Sequence, residues 1–264
     1  VHSWVYAAGH GRSGLLRRPK ELPPIPDTLD WDLWIGVAPK RPYGGDRIYH
    51  PWGWRDWQDF GSGALGDFGC HILDPVFTAL NIKGAPTEIV AEHTGMNDEV
   101  WPAQSTVTYL FPGTEYTDKE MLRITWYNGG LQPTQAGSHV PETTALPKSG
   151  SLIIGEIGTL VLPHVDKPRF YPEENYPAES IDIVNGRNHY HGFVDGCISG
   201  RQPSDGFDYG GPLTEAVQLG NIASRFEGET LNWDAEKLKI ANLKAANKFV
   251  SRKYRKGWEI KPVG

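Results

Sequence analysis

Hydrophobic positions along the chain follow two different repeats. Between residues 62 and 80 the apolar side chains fall on one broad arc of a helical projection, with the polar ones opposite. The polar side holds Gly63, Asp67, His71, Asp74 and Thr78. This spacing predicts a helix over 62–80, with a kink or a restart at Asp74 because Pro75 lacks a backbone donor.

Beyond residue 80 the apolar residues recur at every second position, which is typical of strands. Such segments span 86–94, 103–111, 121–128, 151–155 and 158–163, and a further one opens the chain at residues 1–6. Successive strands without intervening helices predict an antiparallel sheet. Four more helices are predicted at 31–35, 188–199, 213–227 and 242–253, the first between an Asp30 cap and Gly36. The pattern predicts one α+β domain, 1–264.

Long loops separate these elements, chiefly at residues 9–30 and 37–61. The chain has 31 Gly and 21 Pro in 264 residues, and 10 Trp. The second loop is dense in aromatic residues, so we expect it to be ordered rather than disordered.

Composition and charge exclude several classes of protein. The net charge is −6 at pH 7, whereas a nucleic-acid-binding domain needs clustered basic residues. No apolar run reaches the length of about 18 residues that a membrane span needs. Cys70 and Cys197 stand far apart, which predicts two small buried side chains rather than a disulfide framework. No His or Cys spacing suggests a metal site.

The polar side of the 62–80 helix is the first candidate for chemistry. Asp67 and His71 are four residues apart, so the carboxylate can hydrogen-bond to the imidazole and prepare it as a general base. Gly61, Gly63, Gly66 and Gly69 surround the pair. Helical glycines are costly, so we expect close approach by a ligand or by a neighbouring element. The alternative is an ordinary surface pair.

Two further sets of residues could line a pocket with this pair. Tyr43, Trp54 and Arg55 precede the helix, and aromatic faces with an arginine are suited to sugar rings; the alternative is that the rings anchor the loop to the core. His189 lies in a short run with a second histidine two residues on. Their side chains diverge on a helix, so we do not expect a shared metal; one of them is a candidate for the pocket, and Asn188 is a candidate cap.

The chain resembles the Gfo/Idh/MocA oxidoreductases, the glucose-fructose oxidoreductase and inositol dehydrogenase group. The resemblance is centred on WRDWQDFGSGALGDFGCHILDP at 54–75 and extends to LDWDLWIGVAPKRPY at 29–43. It also covers residues 191–226 and 231–258. Together these segments span most of the chain, apart from 96–180.

The resemblance implies a fold and a chemistry. Family members pair a Rossmann domain that binds NAD or NADP with a C-terminal domain like that of glyceraldehyde-3-phosphate dehydrogenase, an open, mostly antiparallel sheet covered on one face by helices. His71 would exchange the proton of a substrate hydroxyl, and Asp67 would orient His71 and contact the sugar. The residues themselves, rather than the resemblance, make Arg55, Trp54, Tyr43 and His189 the candidates for substrate contact.

The Rossmann half is not expected in this chain, because Gly9-His10-Gly11 follows a strand without a helix pattern after it, and there is no Glu-Lys-Pro motif. Residues 1–8 correspond to the strand that leaves the Rossmann domain, so we expect a fragment of a longer protein. The expected partners are that domain, a carbohydrate or polyol, and further copies packed through the sheet. A cytoplasmic location is favoured unless an export signal precedes residue 1.

Three functions stay open at this point. The first is an NAD(P)-dependent oxidoreductase acting on a sugar, a polyol or a related cyclic alcohol. The second uses the same machinery to cleave or eliminate a glycosidic bond. The third is a sugar-binding or scaffold domain without catalysis.

Overall fold

The computed structural model describes residues 1–7, 14–118, 120–177, 186 and 188–259. The first part of the predicted 9–30 loop therefore lies outside the described residues, and residues 14–30 are loop as expected. The α-helices are α1 (Trp31–Ile35), α2 (Gly63–Ala79), α3 (His189–Ser199) and α4 (Phe207–Ala223). Short 3-10 helices cover Gly53–Asp56, Glu173–Asn175 and Lys244–Phe249.

Nine strands form one sheet across the described residues, in the order β7-β6-β5-β1-β4-β3-β2-β8-β9. They are β1 (His2–Val5), β2 (Glu88–Thr94), β3 (Gln104–Pro112), β4 (Met121–Asn128), β5 (Gly150–Ile154), β6 (Thr159–Pro163), β7 (Arg169–Tyr171), β8 (Leu231–Asp234) and β9 (Lys239–Ile240). Only the pairing of β1 with β4 is parallel among them; every other pair is antiparallel. The predicted open, mostly antiparallel α+β sheet is confirmed.

The main core lies between the sheet and the two long helices, α2 and α4. It is filled by side chains such as Phe77, Val107, Trp126 and Val217, all at most 3% exposed. At roughly 25 cal/mol per Å² of buried apolar surface, burial of this kind dominates the favourable side of folding. Because α2 packs its apolar arc here, its polar side must face outward.

The strand opening the chain is the centre of the sheet rather than an edge. Residue pairs His2–Thr125 and His2–Leu152 place β1 between β4 and β5. The buried hydroxyl of Ser3 lies 2.8 Å from that of Ser151, whose own hydroxyl donates to the carbonyl of Ile72 in α2. The 3.2 Å bond to Ile72 ties the sheet to the turn of α2 next to His71.

Two helix predictions differ in detail from the structure, and a third agrees with it. Helix α4 begins at Phe207 instead of 213 and ends at Ala223. Its first residue is 91% exposed, so the apolar stripe on which the prediction rested begins only later. Helix α2 runs through Pro75 as one helix, without the expected restart. Asp30 caps α1 as predicted, accepting from the Leu33 amide at 2.9 Å.

The predicted α-helix at 242–253 is wrong. The segment forms only the 3-10 helix Lys244–Phe249. The Asn247 side chain explains the difference, because it accepts from the Ile240 amide at 2.8 Å and donates to the Ile240 carbonyl at 2.9 Å. The Asn247 side chain therefore pairs with the backbone of β9 as a neighbouring strand would. These local bonds compete with a regular α-helix in this segment.

The cysteines also correct the sequence analysis. Both Cys70 and Cys197 are exposed and free rather than buried. Cys70 lies on the outward side of α2, and α3, which carries Cys197, has no buried residue.

The close packing of α2 against α4 yields a stability prediction. A Cβ at Gly220 would lie 2.0 Å from the buried Tyr109 hydroxyl and 2.7 Å from Leu65 Cδ2. We expect Gly220→Ala to lower the free energy of unfolding by about 1–3 kcal/mol through overpacking. A Cβ added at Gly210 of the same helix would meet no atom within 4 Å, so Gly210→Ala should raise it by about 0.5–1 kcal/mol. Urea unfolding of both variants measures the contrast; equal effects would contradict it.

Candidate active site

The aromatic loop before α2 is anchored by a cluster of buried rings. Tyr49 and Trp57 are at most 2% exposed, and the Trp57 indole donates to the Ile48 carbonyl at 2.8 Å. Tyr43 belongs to this cluster, since it is 6% exposed and packs edge-on against Trp31 at 5.3 Å. The loop is ordered as predicted, and Tyr43 occupies the anchoring position that was the alternative to substrate contact.

The loop delivers Arg55 to the polar side of α2. The Arg55 Nε donates to Asp67 Oδ1 at 2.8 Å, and each side chain is about a quarter exposed. The guanidinium also lies over the rings of Trp54 at 4.4 Å and Trp52 at 5.1 Å. Stacking and ion pairing together fix the orientation of Arg55. The structure therefore brings Arg55, Trp54 and Asp67 together.

In the described part of the chain, the hydrogen bond shown for Asp67 comes from Arg55 rather than from His71. Asp67 turns toward Arg55, whose fixed guanidinium offers a charged donor to the carboxylate. His71 is exposed one turn further along α2, where its ring contacts two other rings, Phe68 at 6.3 Å and His164 at 5.8 Å. The two side chains share a face of the helix.

The glycines around the pair are explained by neighbouring protein. A Cβ at Gly63 would lie 2.8 Å from the Trp101 side chain, and Gly63 has a positive φ of 63°. A Cβ at Gly69 would lie 2.7 Å from Val217 of α4. The close approach that the glycines predicted is therefore that of packed elements.

Two clefts are relevant here, one beside the aromatic loop and one at α2. One, of about 260 Å³, is lined by Trp34, Trp54, Asp59, Phe60 and Arg252. The other, of about 710 Å³, lies at the far end of α2 and is lined by residues that include Asp74, Thr78, Lys83, Asp205 and Tyr209.

Asp74 is not a helix cap, because it lies inside α2. Its carboxylate accepts from the hydroxyl of Tyr209, which also lies 2.9 Å from Thr78 Oγ1. Burial, and then the hydrogen bond to Asp74, raises the pKa of Tyr209 to about 12, so this hydroxyl stays protonated at neutral pH. The pair extends the polar side of α2 by another turn beyond His71.

Helix α3 places His189 at its first residue. Asn188 caps the helix as predicted, accepting from the amides of Tyr190 and His191. The His189 ring stacks on Tyr190 at 4.0 Å between centroids. Within the described ranges the structure shows no hydrogen bond or ring contact from His189 to Asp67 or His71.

Residues 12–112 match a family model described as the oxidoreductase family, C-terminal alpha/beta domain, of the Gfo/Idh/MocA group. The resemblance to the Gfo/Idh/MocA family is confirmed over this segment. It contains α1, the aromatic loop, α2, β2 and β3, and so Arg55, Asp67 and His71 all lie within it. No curated protein matches the chain.

A solved structure of similar shape is that of an NAD-binding protein from Listeria innocua. It is 12% identical, with a TM-score of 0.44, and the likeness covers 88% of this chain. The chain spans 57% of the length of that protein.

Sequence reasoning missed His164, Tyr209 and Trp52. His164 follows β6 and lies 93 positions from His71, and no local spacing connects the two.

The described residues contain no group of three or more His, Cys, Asp or Glu that could hold a metal ion. In the same ranges, no helix has both the length and the apolarity needed to cross a membrane.

The Arg55–Asp67 pair can be tested by a double-mutant cycle. We expect Arg55→Met, Asp67→Asn and the double variant to give a coupling of about 1 kcal/mol in the free energy of unfolding, since both side chains are largely buried. The matched control is Arg169–Asp166, an ion pair of the same charge types with both side chains more than half exposed. Its coupling should stay below about 0.5 kcal/mol. A value for Arg55–Asp67 no larger than the control would contradict this assignment.

Proposed function

We propose that this chain is the substrate-binding and catalytic half of an NAD(P)-dependent oxidoreductase that acts on a sugar, a polyol or a related cyclic alcohol. The observation that carries the proposal is an exposed imidazole, His71, one turn from the Arg55–Asp67 pair within the family segment. An imidazole ionises near neutral pH, which suits a group that accepts and returns a hydroxyl proton.

His71 is the proton acceptor in this proposal. In this proposal the O–H proton of the alcohol passes to His71 as the carbonyl forms, and a bound nicotinamide would supply the acceptor for the hydride of the C–H bond. Asp67 is bonded to Arg55, and in this proposal the two side chains together bind substrate hydroxyls. Carboxylate and guanidinium offer acceptors and donors side by side, the combination that a polyol needs.

The nearby aromatic surface supports a carbohydrate. Trp54 carries Arg55 on its ring and lines the cleft of about 260 Å³, where Asp59 and Arg252 supply polar groups. Aromatic faces with a few placed polar groups are the usual lining of a small-molecule site. His189 remains a candidate for substrate contact, whereas the burial of Tyr43 assigns that ring to the loop anchor.

One feature of this chain is compatible with a nicotinamide ring, the exposed side of α2. The His71 side of α2 is open, so a planar ring can approach the substrate there. Hydride acceptance is the chemistry that the nicotinamide supplies when bound. The G-x-G-x-x-G stretch at 61–66 opens α2 but follows a loop rather than a strand, and the one at 9–14 has no helix pattern after it. We therefore assign the binding of the adenosine and phosphate groups to a Rossmann domain partner.

The family also suggests contacts between copies of the protein through the sheet. Thr106, Thr108 and Leu110 alternate with the core residues of β3 and are partly exposed on the opposite face. This surface is the one that we assign to a homo-oligomer. Sedimentation of the full-length protein measures its state, and a monomer would contradict the assignment.

The activity is tested by replacing His71 in the full-length protein. With NAD⁺ or NADP⁺ and a panel of sugars and polyols, we expect formation of reduced nicotinamide, and His71→Ala should lower kcat by about 10²–10⁴-fold. Added imidazole should restore part of the rate. Cys70→Ala, at the neighbouring exposed position, is the matched control and should leave kcat unchanged.

Three results would contradict the proposal. Near-normal turnover of His71→Ala would show that the histidine is not the proton acceptor. Release of the aglycone from aryl glycosides without net reduction of the cofactor would identify the cleavage chemistry instead. Sugar binding without any turnover would favour the scaffold alternative.

A further inference from the structure

The rings of Phe68, His71 and His164 form a three-ring cluster on the outward side of α2. The centroids are 5.8 Å apart between His71 and His164, 6.0 Å between Phe68 and His164, and 6.3 Å between Phe68 and His71. Both histidines are exposed, so the contact does not bury them in a core. The cluster places a second imidazole beside the proposed proton acceptor.

The position of His164 is set by the sheet rather than by a free loop. It directly follows Pro163, which pairs with Gly150 at the end of the β5–β6 ladder, and its amide donates to the Ser149 carbonyl at 2.9 Å. A Cβ at Gly150 would lie 2.3 Å from the Leu162 carbonyl oxygen, so the two strands are in close contact there.

The same strand is bonded to α2 beside His71. Ser151, the neighbour of Gly150, donates to the carbonyl of Ile72, the residue after His71. The backbones of His71 and His164 are therefore linked through the Ser151 hydroxyl and the β5–β6 pairing. This link sets the distance between the two residues before any substrate binds.

We propose that His164 is a substrate-binding residue, and that the substrate is a vicinal diol whose second hydroxyl is held by His164 while His71 takes the proton of the first. This inference rests on the proposed function and specifies its substrate class. A neutral imidazole carries one donor and one acceptor, so it can bind a hydroxyl in either sense.

The geometry suits two neighbouring hydroxyls. The two ring centroids are 5.8 Å apart, so one small molecule lying alongside both rings can accept or donate one hydrogen bond of about 2.8 Å at each imidazole. The Phe68 ring, in contact with both histidines, offers an apolar surface to the C–H groups of the same diol. A simple monohydric alcohol would leave the His164 side of this arrangement without a partner.

The first experiment compares substrates in the full-length protein. The best alcohol from the panel is set against its deoxy analogue, which lacks the hydroxyl next to the oxidised carbon. We expect the wild-type protein to prefer the diol by about 10- to 100-fold in kcat/KM, and His164→Ala to remove most of this preference by slowing only the diol. His164→Gln, which keeps a donor and an acceptor, should restore part of it.

Val165→Ala is the matched control, because the neighbouring Val165 side chain is 86% exposed and its removal perturbs the same turn. It should keep the wild-type preference. An unchanged preference in His164→Ala would overturn the inference while leaving the proposed function intact. Equal loss in Val165→Ala would assign the effect to the turn and would also overturn it.

A second measurement needs no turnover. The imidazole Cε1–H signals of His71 and His164 are followed by NMR in the chain itself during titration with myo-inositol, D-glucose or glycerol, with 1,3-propanediol as the probe that lacks a vicinal diol. We expect at least one vicinal diol to shift both signals together and the control to shift neither. No shift with any of the three, or equal shifts with the control, would overturn the inference even if no alcohol were oxidised.

Discussion

The close packing of α2 between the sheet, α4 and Trp101 is the constraint on which the rest of the site depends. A methyl group added at Gly63 would collide with Trp101, and one at Gly69 with Val217. The helix therefore cannot roll about its axis or slide without opening the core. Its outward side faces away from this packing, and that side carries Asp67, His71 and Asp74.

Side chains of quite different origin meet on this fixed side. Arg55 comes from the aromatic loop and is aligned by its stacking on Trp54. His164 comes from the far end of a strand ladder, and Tyr209 comes from the first turn of α4. The helix fixes the spacing of Asp67, His71 and Asp74, and each neighbouring element places one more functional group beside them. The proposed chemistry needs such an arrangement, because proton transfer and substrate binding require separate groups at fixed spacing.

The main elements could be predicted from the sequence because their periodicity is produced by burial. The arc of α2 and the alternation in β3 are both one-sided contacts with the core. The first turn of α4 could not be found in this way, since Phe207 packs against no core and leaves no stripe. The 3-10 segment near Asn247 was mistaken for a helix because side-chain bonds to β9, which periodicity does not report, decide its form.

The candidate site was predictable only where its residues are close in the sequence. Asp67 and His71 share a helix face, and Arg55 is twelve residues before Asp67, so their proximity follows from local structure. The donor from which Asp67 accepts could not be predicted, because i,i+4 spacing permits a bond between Asp67 and His71 without requiring one. The contact between His71 and His164 depends on the pairing of distant strands, which a single sequence does not specify.

The central position of β1 has a consequence for how the site is assembled. β1 joins the group β5–β7, which carries His164, to the group β2–β4, and β1 itself pairs residues 2–5 with residues 125–128 and 150–152. Each of these pairings closes a loop of more than a hundred residues, which is slow and entropically costly. Two ties therefore hold the His164 part of the sheet to the part on which α2 packs: strand β1 and the Ser151–Ile72 bond. A change in the first residues of the chain thus acts on the distance between the two imidazoles, although the rings themselves contact Phe68 and each other.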